Sequence, residues 1–286
     1  MVINHNLSAI NALRHHTINN ASIDVHLSRL SSGLRVVTAK DDPAGLAVSE
    51  KMRSQIRGLN QATRNIGDGI SFIQTTEGYL DASQSILHRL RELAVQSSNG
   101  IYTSEDRYQI QVEVSELVDE IDRIASHAQF NTMNMLTGRF ADGRNGTPAS
   151  SMWFHMGANM DQREKIHIGT MTAAALGLKE FSTGKIINYL TQDSSNAMIA
   201  TLDTALFRVS KQRADLGAFQ NRMEYAVQGV MIGAENIQAA ESRIRDADMA
   251  VEMTQFIKHT ILDQAAISMV GHANNKSQSI LRLISG

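Results

Sequence analysis

From Met52 to about residue 96, apolar or small side chains return at every third or fourth position. Met52, Leu59, Ala62, Ile66, Gly69, Ile73, Thr76, Leu80, Ser83, Leu87, Leu90 and Ala94 form one seam, broken only by the amide of Gln55. An alternation held this long is the heptad signature of a coiled-coil helix. At about 1.5 Å per residue it predicts a rod of roughly 65 Å. Ser97-Ser98-Asn99-Gly100 ends the rod with turn chemistry, and Thr103 with Asp106 can cap the next helix. That helix carries its own seam at Ile110, Val114, Leu117, Ile121, Ile124 and Ala128. Two such seams joined by a short turn predict an antiparallel hairpin of helices. From about residue 196 the pattern resumes through Leu202, Leu206, Val209, Arg213, Leu216, Gln220, Met223, Val227, Val230, Ala234 and Ile237. After a three-residue slip it runs on through Ala240, Ile244, Ala247, Val251 and Thr254, as one helix locally overwound.

The ends and the middle read differently. Residues 1–42 predict a helix with a diluted stripe: Ile3, Leu7 and Ile10 are well spaced, then His15, His16, Asn19 and Asn20 intervene. Such a helix has little to bury and is marginal alone. Asp42 can cap a helix that starts at Pro43, where the missing N–H costs nothing. The tail from about 256 carries Ile257, Ile261, Ala265, Met269, Ala273, Ile280 and Leu283 on a broader face. Between the rods, residues 138–184 are rich in loop formers, with two short strand patterns at 151–156 and 165–170 that predict a β-hairpin. Trp153 lies in the first and is expected to pack the hairpin onto the helices. The fold class is therefore mostly α: long antiparallel helical rods with a small β-hairpin, flanked by two weaker terminal helices.

Composition narrows the function. Two prolines in 286 residues suit long helices, and zero cysteines exclude disulfides, thiolate metal sites and Cys nucleophiles. A net charge of −2 removes any broad electrostatic case for nucleic acid or anionic membrane. No run approaches the roughly 18 apolar residues of a membrane span. The first residues lack the basic and apolar regions of a signal peptide, so export, if it occurs, is expected by another route.

Ten histidines contain no H-E-x-x-H, and His15-His16 cannot aim both rings from one helix face. Phosphate-loop and nucleophile-elbow patterns also fail: Ile186 stands where Ser or Thr is needed, and Phe72 at the third position of Gly67-x-Gly69. Asp41-Asp42 reads as a helix cap and Glu116/Asp119/Glu120 as a solvated face. No enzyme site and no cofactor are expected. The run Glu241 to Asp248 alternates in sign, which fits an exposed helix face or a subunit contact, and the pattern alone does not separate them.

Several blocks carry a family resemblance. Ile3-Asn4-His5-Asn6-Leu7-Ser8-Ala9, Leu30 to Arg35, Asp41 to Ala47, Arg91 to Gln96, Glu120 to Ala125, Phe130-Asn131, Gln212 to Ala218, Gln220 to Glu224 and Glu241 to Asp248 together resemble bacterial flagellin. They cover both ends and most of the rods. About 50 residues separate the rods, which leaves no room for bulky outer domains. Ser151 to Asn159, with Asn4-His5-Asn6, is similar to the spirochaete core flagellins, whose filaments lie in the periplasm under a sheath.

The resemblance implies a filament subunit, with 1–42 and 245–286 as an inner coiled-coil domain and 43–244 as a rod domain. It assigns polymerisation to the terminal residues Ile3, Leu7, Ile10, Leu27, Leu30, Leu34, Ile257, Ile261, Met269, Ile280 and Leu283. A hinge falls at Asp41, Asp42, Pro43 and Gly45. Arg89, Leu93 and Glu113 match the motif bound by the vertebrate flagellin receptor, with a subunit contact as the favoured role. Thr147, Ser150, Ser151 and Thr172 lie where flagellins are often glycosylated. Implied partners are further copies, other flagellin isoforms, hook-associated junction proteins, a distal cap, an export chaperone on the C-terminal tail and sheath proteins. Weak terminal stripes also lead one to expect termini that order only on assembly. A hook–filament junction protein, a soluble coiled-coil adaptor and an enzyme are the rival readings, the last lacking both a protease insert and H-E-x-x-H.

Overall fold

The structure is a computed structural model that describes residues 6–141, 151–179 and 186–285, without the side chains of 277 and 280–285. Its elements run α1 (Leu7–Ser32), α2 (Pro43–Ser97), α3 (Ser104–His127), β1 (Gln129–Phe130), β2 (Met133–Asn134), β3 (Met152–His155), β4 (Arg163–Ile166), α4 (Ala173–Leu176), α5 (Gln192–Arg245) and α6 (Met249–Ser285). The chain divides into two compact units, one of Met1–Ile56 with Glu235–Gly286 and one of Arg57–Ala234.

The second unit holds the main core. Ile66, Ile73, Leu80, Leu87, Leu90 and Ala94 of α2 are buried in one cluster with Ile110, Val114 and Ile121 of α3 and Leu202, Val209, Leu216 and Met223 of α5. The heptad seams therefore face inward as the spacing predicts, and each buried Leu or Ile contributes about 1.5–3 kcal/mol. Thr103 caps α3 in a full capping box with Asp106. Ion pairs tie the flanks: Arg91 to Asp203 at 2.7 Å, and Arg213 to Asp81 at 2.8 Å. Two further side chains, Phe72 and Leu93, are as buried as the seam itself. Phe72 meets Phe130, Phe140 and Phe154 at 5.5, 6.2 and 5.8 Å between ring centroids, so it joins three segments to α2.

The hairpin β3–β4 is antiparallel, with Met152 opposite Ile166 and His155 opposite Arg163. Its return strand starts at Arg163, two residues earlier than the pattern suggests, because Gln162 closes the turn by accepting from Met156 N–H and Asn159 N–H. Trp153 does not pack onto the helices. Strand alternation turns Met152 and Phe154 inward, which leaves Trp153 half exposed beneath the Arg163 guanidinium, 4.4 Å from its ring centroid. The hairpin lies directly on the α2 backbone at two glycines. A Cβ at Gly58 would stand 2.8 Å from the Ala158 Cβ, and one at Gly69 would stand 3.0 Å from Phe154 Cδ1.

In the first unit, α1 stops at Ser32 rather than continuing to 42. Gly33 takes the left-handed conformation at φ 70° and donates to Arg29 O, which closes the helix. The two terminal helices are Leu7–Ser32 and Met249–Ser285. The helix predicted to run on past 245 is instead two helices. Asp246-Ala247 leaves the helical path, Leu34 bridges Asp246, and the Asp248 carboxylate accepts from Ala250 and Val251 N–H to start α6. The seam face is lost at that break, so Val251 and Thr254 are exposed.

Candidate functional site

The terminal pair carries a ladder of polar contacts on its covered side. Residues 6, 16 and 26 of the N-terminal segment meet 273, 263 and 252, a descending series that makes α1 and α6 antiparallel. Asn6 donates to Ala273 O at 3.0 Å, His16 Nδ1 lies 2.5 Å from Asp263, and His26 Nδ1 lies 2.6 Å from Glu252. Arg29 reaches the other Glu252 oxygen at 3.2 Å, and the His26 ring stacks on His259 at 5.4 Å. Glu252 is only 8% exposed. Burial alone would raise its pKa, but bonding from His26 and the charge of Arg29 outweigh this and hold the carboxyl below its usual range. Such a ladder fixes register, because sliding either helix would leave buried polar groups without partners.

Many of the large apolar residues face the other way, although Ile23, Leu30, Phe256 and Val270 are half buried and Ala266 is buried. Leu7, Ile10, Leu13, Ile18, Val25 and Leu27 of α1 are exposed, as are Val251, Ile257, Ile261, Leu262 and Ile267 of α6. Leu7 is 64% exposed and Ile261 60%. Soluble monomers rarely leave extended apolar stripes of this kind open to water, and where they occur they mark interaction surfaces. Of the assigned terminal residues, Leu7, Ile10, Leu27, Ile257, Ile261 and Met269 lie on these outer faces, while Leu30 and Leu34 are half buried. Ile3 and the side chains of Ile280 and Leu283 lie outside the described residues.

The remaining assignments separate clearly. In the segment assigned as a hinge, Asp42 Oδ1 accepts from Gly45 N–H at 2.8 Å to cap α2 at Pro43. Asp41 accepts from Val37 N–H, Thr38 N–H and the Thr38 hydroxyl; the Thr38 backbone bond is the main cause of its lowered pKa. The charged run from Glu241 serves the chain itself. Arg245 binds Glu50 at 2.6 Å, its carbonyl accepts from Arg35 N–H, and Glu241 faces Arg53. Asp119 with Asp122 holds Lys179, so that carboxylate cluster is not simply a solvated face.

Arg89 and Glu113 are exposed and paired at 2.9 Å. Leu93, in contrast, is 1% exposed within the helical core. The Leu93 side chain thus packs the core, and of the three matched residues the surface presents the Arg89–Glu113 ion pair. Thr172 caps α4 by accepting from Ala175 N–H and is half buried, as is Ser151; Thr147 and Ser150 lie outside the described residues. Among the described residues no cluster of three metal-ligating side chains occurs, and no helix is long and apolar enough to cross a membrane.

Long helices around an apolar core, with a terminal helix pair joined by a polar ladder and apolar on its outer faces, define a structural coiled-coil protein built to associate. Residues 3–141 match the bacterial flagellin N-terminal helical region and residues 199–284 the C-terminal one. The chain is 59% identical to the flagellar filament 33 kDa core protein of Treponema phagedenis, over 99% of this chain and 100% of that one. It is also 59% identical to the flagellar filament core protein flaB2 of Brachyspira hyodysenteriae, with the same coverage. A solved structure from Vibrio parahaemolyticus, described as a flagellar hook-associated protein, shares the fold at TM-score 0.58 and 14% identity, covering 72% of this chain and 100% of that one. The chain belongs to the bacterial flagellin family. Its members are structural proteins that polymerise into flagellar filaments, not enzymes.

Proposed function

We propose that this chain is the core subunit of a periplasmic flagellar filament. The observation that carries the reading is the outward apolar face of the antiparallel α1/α6 pair, which further copies of a similar pair would cover along its length. Relatives named as filament core proteins in Treponema and Brachyspira support the periplasmic location. In this reading 1–42 and 245–286 form the inner layer and 43–244 the rod layer, with Asp41 to Gly45 as the hinge between them. A contact that repeats without closing then gives a helical polymer. Other flagellin isoforms, hook-associated junction proteins, a distal cap and sheath proteins would meet the polymer. An export chaperone would cover the C-terminal tail before assembly. Arg89 and Glu113 present a charged pair to a neighbouring subunit or, on free monomer, to a receptor. Ser151 is a candidate for glycosylation.

Immunogold labelling of thin sections, with antibody against residues 151–166, tests the location. Continuous label between the inner and outer membranes is expected. Label confined to filaments outside the cell would overturn the periplasmic placement.

A further inference from the structure

Eight large apolar side chains of α6 are exposed between Met249 and Met269, and three of them are thioethers: Met249, Met253 and Met269. Met253 sits one helical turn from Met249 and one from Ile257, so the first two continue directly into the apolar outer face. The exposed apolar residues of α1 are Leu, Ile and Val, with no sulfur among those described. In the second unit Met135, Met171 and Met223 are sealed in the core, while Met160 and Met231 are open. Accessible sulfur is thus placed on one of the two faces that further copies would cover.

We propose that Met249, Met253 and Met269 form an oxidation-sensitive site through which peroxide-class oxidants control assembly of the free subunit. The inference rests on reading the outer α6 face as the assembly surface. In each step a sulfur lone pair attacks one peroxide oxygen. The O–O bond breaks, an S–O bond forms, and the other oxygen leaves as water after proton transfer. The thioether loses two electrons to the peroxide and becomes a sulfoxide. A sulfoxide on the free subunit is solvated and harmless to the fold. In a subunit contact the same group must give up water without a prepared donor, which opposes burial. Core methionines escape because oxidant does not reach them, and subunits already in a filament escape because their thioethers are covered. The device therefore acts on subunits before addition, and its chemistry is reversible by methionine sulfoxide reductases.

The test compares seeded elongation of the full chain before and after hydrogen peroxide treatment. It runs beside a Met249→Leu/Met253→Leu/Met269→Leu variant, which keeps volume and apolarity. Untreated chain must elongate; if it does not, the assembly reading itself fails, and not the sulfur site. With that satisfied, peroxide is expected to lower wild-type elongation by at least about tenfold, because three new polar groups oppose burial. Helicity should stay unchanged, the treated variant should elongate like untreated chain, and reductase should restore the wild type. Equal elongation of treated and untreated wild type would overturn the proposal. So would equal loss in the variant, which would place the effect at methionines outside the α6 face, or loss of helicity, which would place it in the core.

Discussion

Introducing Asp at both Ile257 and Ile261 is expected to abolish filament elongation while leaving the subunit folded. Both side chains stand free of the α1/α6 ladder, and Ile261 is 60% exposed, so the monomer loses little by the change. In the filament the same positions would be covered by another copy. An unpaired carboxylate there must shed its water or stay protonated, at a cost of several kcal/mol for each site. Two such costs lower the affinity of an incoming subunit by at least about a hundredfold, since 1.4 kcal/mol is roughly a factor of ten. Sedimentation after seeding measures the effect, and circular dichroism verifies the fold. Normal elongation of the double variant would remove the α6 outer face from the assembly surface.

Phe72→Ala is expected to be the most damaging single change in the second unit. The ring is 1% exposed and contacts three other aromatic rings carried by β1, the loop at Phe140 and β3. Removing it takes away its own transfer energy and leaves a cavity that three anchored segments cannot easily fill, at a cost of about 3–5 kcal/mol. For a unit of this size that is a fall in Tm of about 6–20 °C. Trp153 is the chain's single tryptophan and lies on β3 next to Phe154, so its fluorescence reports this region as it melts. A fall of less than about 2 °C would mean that the aromatic cluster contributes little to holding the hairpin.

What the sequence reveals here depends on how one-sided each helix is. The seams of α2, α3 and α5 were legible because each presents a long apolar stripe to a shared core, and the observed burial follows them almost residue by residue. Phe72 and Leu93 escape a single-seam reading because α2 is flanked by both α3 and α5 and buries more than one stripe. The turn at Asn131-Thr132 was silent, since Thr132 holds φ 64° where a glycine would have advertised the hairpin β1–β2. The α5/α6 break was hidden for a similar reason. Neither Gly nor Pro marks it, and Asp248 signals a cap only once the helix is known to start there.

The terminal pair is the most instructive case. Apolar spacing usually names the face on which two helices meet, yet here His16, His26, Glu252 and Asp263 share that face with Ile23, Phe256 and Ala266, while Ile10, Ile18, Ile257 and Ile261 look outward. Periodicity finds the stripe but not which neighbour it serves. In the proposed filament a further copy supplies the second neighbour, which a single chain does not contain.

Seeded elongation followed by electron microscopy tests the central claim most directly, comparing the full chain with a truncation that lacks residues 1–40 and 250–286. The full chain is expected to form long filaments and the truncation none. A full chain that stays a small soluble oligomer in the presence of seeds, or a truncation that elongates, would contradict assembly through the terminal pair.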